Sequence, residues 1–207
     1  MELSLLASLS ILIPCILVSI TLHEAMHAYA SHWLGDDTAF HEGRLTLNPI
    51  VHIDPITTIA VPLVLVALGL PPFGAAKPVP FNPYKIKWGE WGEALVGVAG
   101  PFTNLVLALL SGGVLRFLHP DGLLEAILEA FTSVNLAFFL FNMIPFPPLD
   151  GSRVLYAIAP DGVRNVMRTI EGMGFAGILI FMFVFFQFIS PYFSVVFQSA
   201  LHLIIGK

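Results

Sequence analysis

Charge is what this sequence has least of: Asp, Glu, Lys and Arg make up 11% of its 207 residues, against ~25% in an ordinary soluble domain. So little charge excludes a soluble globular protein. The net charge of −5 is scattered and includes no basic run, which excludes a nucleic-acid surface. Cysteine is almost absent as well. Cys15 alone builds neither a disulfide framework nor a cysteine zinc cluster, and it reads as packing in an apolar helix. Linkers, repeats and low-complexity runs are missing, so residues 1–207 are expected to form one domain, with a core at about 3–155 and C-terminal membrane segments at about 172–206. Met1-Glu2 lacks the positive start of a signal peptide, so the first apolar run is expected to be retained as a membrane segment.

What is present is apolar. Hydrophobic residues make up 57% of the chain, 18 of them Phe, and mean hydropathy is +0.85. This composition predicts an all-α polytopic membrane protein with a three-helix core plus C-terminal helices, about four to six membrane segments in all. Leu3 to Leu34 reads as one helix stopped by Gly35, with Pro14 as a possible kink. At ~1.5 Å per residue it outreaches the ~30 Å hydrocarbon layer. Ala94 to Leu118 and Leu123 to Ile144 are further spans, the former carrying Gly97, Gly100 and Ala108 for close helix contact. Phe175 to Ile189 and Tyr192 to Ile205, split by Ser190-Pro191, read as one span plus a second short one. Between the first two core helices the pattern breaks. Residues 36–55 alternate like short strands or extended loop, and Ile56 to Leu70 is short for a crossing. The prolines of 71–83 forbid helix and favour a re-entrant extended segment, tolerable at membrane depth only beside protein or a wet cavity.

The first helix carries His23-Glu24-Ala25-Met26-His27. Residues four apart on a helix share a face, so both imidazoles aim at one point with Glu24 beside them, the H-E-x-x-H pattern of zinc hydrolases. Leu3 to Leu22 contains no charged residue, and ionisable groups this close to lipid are costly and functional. Zinc in a hydrolase takes three protein ligands and a water. Asp150 is the best third ligand, because it follows a full span, is bracketed by Pro147-Pro148 and Gly151, and returns to the same membrane face. That return requires residues 56–93 to make no net crossing. Arg44, Lys77, Lys85, Lys87, Arg153, Arg164 and Arg168 then share the face, which the positive-inside tendency places in the cytoplasm.

Together, H-E-x-x-H on the first helix and N-x-x-P-x-P-x-L-D-G at Asn142 to Gly151 resemble the site-2 protease family of intramembrane zinc metalloproteases. The segments Gly43 to Pro49, Ala76 to Pro80 and Gly100-Pro101-Phe102-Thr103-Asn104 resemble its compact prokaryotic branch, which has no PDZ-like domain. Ser152 departs from the pattern where a second glycine is expected. The resemblance implies one Zn2+ per chain on His23, His27 and Asp150, and a Glu24 that takes a proton from the attacking water. It also implies transmembrane protein substrates in a lipid bilayer, a multi-pass protein of a prokaryotic cell membrane, and cleavage near the cytoplasmic face.

Other polar residues remain open. Asn142 is a candidate oxyanion donor or substrate-backbone ligand, and equally a helix cap. His52 can orient a ligand, help bind the oxyanion, occupy the open metal position, or be a structural histidine. His32, His41, His119 and His202 read as interfacial, loop or core groups. Lys77 reads as an anchor, Trp88 and Trp91 as an interfacial belt, and Arg153 as an ion-pair partner or an anchor. Val79 and Phe81 on the extended stretch are candidates for pairing with an unwound substrate. The alternative from another class is a non-catalytic metal-binding protein or a metal transporter, but a transport path needs ionisable residues along several spans.

Overall fold

In the computed structural model, residues 5–67, 74 and 76–206 are described, and every regular element among them is helical. Four helices are long and apolar enough to cross a membrane: α1 (Leu5–Trp33), α5 (Glu90–Leu118), α6 (Gly122–Asn142) and a C-terminal run over Ala176–Ile205. The shorter elements are α2 (Thr38–His41), α3 (Pro49–His52), a π-helical turn over Pro55–Ala60, α4 (Val61–Ala67), α7 (Gly151–Ile158) and α8 (Asp161–Gly172). The fold class read from composition therefore holds.

The C-terminal pair of segments is one continuous helix rather than a span plus a short second one. In it α9 (Phe175–Val184) passes through a π-helical turn at Phe185–Ile189 into α10 (Ser190–Ile205). Pro191 directly follows the π-helical turn, which shifts the hydrogen-bond register ahead of the residue that lacks an N–H, so the proline does not end the run.

Of the short strands or extended loop expected over residues 36–55, the loop is found at 42–48, whereas in place of strands there are two short helices and the start of a π-turn. The cause lies in two Asx-Pro pairs. The Asn48 side chain accepts from Ile50 N at 3.1 Å, with Pro49 beginning α3. The Asp54 carboxylate likewise accepts from Ile56 N at 2.8 Å and Thr57 N at 3.0 Å ahead of Pro55. A capping side chain followed by proline starts a helix whatever the alternation of the residues around it.

α5 is the central element, packed against α1, α6 and α7. Its small residues allow the close approach: a Cβ on Gly97 would lie 2.9 Å from Arg153 Cβ, and one on Gly112 would lie 2.1 Å from Ile204 Cγ2. At the far end Arg116 donates to Leu203 O at 2.6 Å, bringing the end of α10 beside the end of α5.

The chain does double back to the end of α1. Gly35, at φ +100°, turns it out of the helix. Asp36 is sealed from solvent and accepts from Thr38 Oγ1 at 2.6 Å, Thr38 N at 3.1 Å, Ser31 Oγ at 3.2 Å and Asn82 N at 2.6 Å. Burial by itself would raise its pKa, but the bonds from Thr38, Asn82 and Ser31 together outweigh burial and hold the carboxyl below its usual range. Arg44, equally buried, donates to Val51 O at 2.5 Å and Pro78 O at 3.4 Å. With Lys77 N on His52 O at 2.9 Å and Lys87 N on Leu34 O at 2.8 Å, these bonds tie residues 77–87 to the loop after α1. Residues 76–82 have no regular structure, as the prolines require. The rest of the proline stretch, 71–73 and 75, lies outside the described residues, as do 68–70 of the short apolar segment.

Candidate metal centre

Three side chains from two distant parts of the chain converge at the C-terminal half of α1. His23 Nε2 stands 3.1 Å from Asp150 Oδ2, His27 Nε2 stands 3.3 Å from the same oxygen, and the two Nε2 atoms are 3.0 Å apart. His23, Glu24 and His27 are all buried. These three ligand atoms lie within 4.8 Å of one another and form the one such group of three or more among the described residues.

Local structure explains each position. α1 continues through Pro14, and its four-residue period sets the imidazoles edge to face, 4.6 Å between centroids. Asp150 immediately precedes α7, after a bend whose Pro147–Pro148 peptide bond is cis. A Cβ on Gly151 would lie 2.4 Å from Met143 O, so only glycine lets the bend fold back against the end of α6. Ser152, the departure from the family pattern, is 1% exposed and donates its N–H to Leu149 O at 3.0 Å, so the small hydroxyl side chain is accommodated.

The donor set fits zinc. His27 Nδ1 faces Val96 O at 2.7 Å, and a carbonyl only accepts, so Nδ1 carries the proton and Nε2 presents its lone pair. His23 Nδ1 faces Asn104 Oδ1 at 2.6 Å. Two imidazoles and one carboxylate oxygen make the mixed N/O set that zinc takes in hydrolases. Gly100 closes one side of the centre: a Cβ there would lie 2.4 Å from His27 Nε2 and 2.8 Å from His23 Nε2.

The secondary candidates fall in different places. His52 is 1% exposed on α3, with Nε2 toward Thr46 O at 2.9 Å and Nδ1 buried without a partner. Asn142, the last residue of α6, donates from Nδ2 to Phe138 O of its own helix at 3.0 Å. His32 pairs with Asp37 at 2.7 Å near the surface. Arg153 lies 3.5 Å from Glu171 and over the Phe81 ring, 5.7 Å to its centroid, so it links α7 both to α8 and to the extended segment.

Sequence reasoning passed over two buried amides, Asn104 and Asn135, each 0% exposed at membrane depth. Asparagine within an apolar span is itself the signal that could have found them.

Four helices long and apolar enough to span a membrane among the described residues, together with a His–His–Asp group fit for zinc, define a membrane-embedded zinc hydrolase. The sequence comparisons are specific about which. Over 190 residues the chain is 40% identical to YwhC of Bacillus subtilis, a protein assigned as a zinc metalloprotease, covering 87% of this chain and 82% of that protein. Rip2 of Mycobacterium tuberculosis, with the same assignment, is 34% identical over 148 residues, or 67% of this chain and 53% of its own length. Rip2 of Mycolicibacterium smegmatis is 28% identical over 169 residues, or 80% of this chain and 64% of its own. No family model matches the chain, and neither does any solved structure. The chain belongs to the site-2 protease-like family of zinc metalloproteases, and it is an integral membrane protein.

Proposed function

We propose that this zinc metalloprotease is an intramembrane endopeptidase that cuts membrane-anchored proteins near the cytoplasmic face of a prokaryotic cell membrane, as in regulated intramembrane proteolysis. The convergence of Asp150 on His23 and His27 of the first apolar span carries the reading. His23, His27 and Asp150 would hold the ion, which supplies Lewis-acid chemistry that acidifies water and polarises a carbonyl. Glu24 sits between the two histidines in sequence, buried on the same helix. Its carboxylate takes the proton of the attacking water and passes it to the leaving amine. Asn142 and His52 remain the candidates for holding the scissile backbone or the oxyanion; for His52 the support is its unpartnered, buried Nδ1.

A peptide bond in a helical substrate must be unwound before cleavage. Phe81, beneath Arg153, places the extended segment beside the helix that follows Asp150, which supports strand-like pairing of substrate along Val79 and Phe81. Seven of the nine Lys and Arg residues gather where α1 ends and α5 begins, which supports a cytoplasmic face there. Against a transporter stands the confinement of metal-ligating groups at depth to one cluster among the described residues.

The test is cleavage of a model single-span substrate by the purified protein and by Glu24→Gln. Loss of ~10²–10⁴-fold in kcat with zinc retained is expected from removal of a general base. Equal rates would sink the mechanism.

A further inference from the structure

His23 serves as a ligand through Nε2 only if its proton sits on Nδ1, and the structure shows what enforces this. Starting on α6, one turn before Asn135, Phe131 O is a carbonyl and can only accept. Asn135 Nδ2 donates to it at 2.8 Å, which leaves Asn135 Oδ1 pointing toward α5. That oxygen accepts from Asn104 Nδ2 at 2.8 Å, and the same Nδ2 group also meets Ser19 O of α1 at 3.3 Å. Two acceptors on one side of Asn104 turn its Oδ1 toward His23, where Nδ1 lies 2.6 Å away. Each amide has one self-consistent orientation, because both outer ends of the chain are backbone carbonyls.

We propose that Asn135 and Asn104 are positioning residues for the metal centre: an amide relay across α6, α5 and α1 that fixes the tautomer and ring orientation of His23. The proposal rests on the zinc reading of the site. It assigns to these two buried residues a role in metal affinity rather than helix packing. Interhelical hydrogen bonds in membranes add little to stability on their own, so packing alone gives weak reason for two amides with no exposed surface here. His27 needs no such device, since Val96 O sets its tautomer directly.

The experiment measures zinc affinity of the full-length protein in detergent by chelator competition, alongside kcat and KM. Asn104→Leu is expected to weaken zinc binding ~10–100-fold, the usual effect of removing the partner of a ligating histidine. Asn104→Asp keeps an oxygen for Nδ1 and should bind zinc more tightly than Asn104→Leu. Asn135→Leu acts only through Asn104, so its smaller penalty should vanish in the Asn104→Leu background. In the single variants kcat should fall at unchanged KM. Zinc affinity within twofold of wild type in folded Asn104→Leu would overturn the relay, as would Asp no better than Leu or an Asn135→Leu penalty that persists in the double variant. If Asn104→Leu does not fold, Asn135→Leu decides alone, and affinity equal to wild type overturns the relay. Wild-type protein that binds no zinc would instead overturn the metal assignment itself.

Discussion

The core helices and the C-terminal helix are equally apolar to the eye, yet they are built by different rules. Of the most apolar window of each, 44% is buried in α5, against 6% in the helix over Ala176–Ile205. The core buries polar groups and joins them across helices: besides the two amides, Ser111 Oγ and Thr132 Oγ1 lie 2.8 Å apart between α5 and α6. The C-terminal helix attaches through rings. Phe141 of α6 lies 5.5 Å from Phe181, 5.3 Å from Phe185 and 6.4 Å from Phe193, all edge to face. Polar residues at depth thus mark where geometry matters for chemistry, and aromatic clusters mark where contact suffices.

That contrast can be broken by mutation. The largest effect is expected at Asp150→Ala, which removes the carboxylate that meets both imidazoles and is the proposed third ligand. Zinc retained by the purified variant in a metal assay would remove Asp150 from the site, whereas the expected result is loss of stoichiometric zinc and of proteolysis. Next comes Gly100→Ala, whose methyl would collide with both imidazoles. Displacing ligands to that degree should cost ~10–100-fold in zinc affinity with the helices retained by circular dichroism.

Smaller still is Phe181→Leu in the C-terminal helix. It should cost about 1 kcal/mol, the worth of the aromatic pairs, and leave kcat within about twofold. A large loss of zinc there would erase the distinction between the two regions. An effect of similar size, confined to the loop after α1, belongs to Asp36. Its carboxyl titrates lower in the folded protein than in the unfolded chain, so its stabilisation is complete above the ordinary carboxylate range near ~4 and fades as pH falls through the lower folded value. Hydrogen exchange at the Asn82 amide should therefore be flat from pH 7 to 5, after correction for intrinsic rates, with protection declining only in stronger acid. Asp36→Asn should remove about 1–2 kcal/mol of that protection at neutral pH.

Much of this was legible in the sequence because a few residues are nearly unambiguous. His23 to His27 and Asn142 to Gly151 announce a bipartite centre, and Gly35 announces the end of the first helix. The misreadings came from places where local chemistry overrides pattern. Alternation within 36–55 suggested short strands or extended loop, although Asn48-Pro49 and Asp54-Pro55 were helix starts in plain view. Ser190-Pro191 suggested a break, although a π-helical turn at Phe185–Ile189 carries the helix past the proline. Asn104 stood in a quoted motif without a role, because its function depends on Asn135 and Ser19, which are neighbours only once three helices have packed.

The separation between the ligands has a consequence for how the protein is made. His23 and Asp150 are 127 residues apart, so at typical synthesis rates the two histidines wait roughly 6–25 s for their third partner. A nascent chain that has inserted α1, α5 and α6 holds most of the buried scaffold and Glu24, but not Asp150, so the group of three is incomplete. The His23–His27–Asp150 group is therefore completed late, after the helices that enclose it have been made.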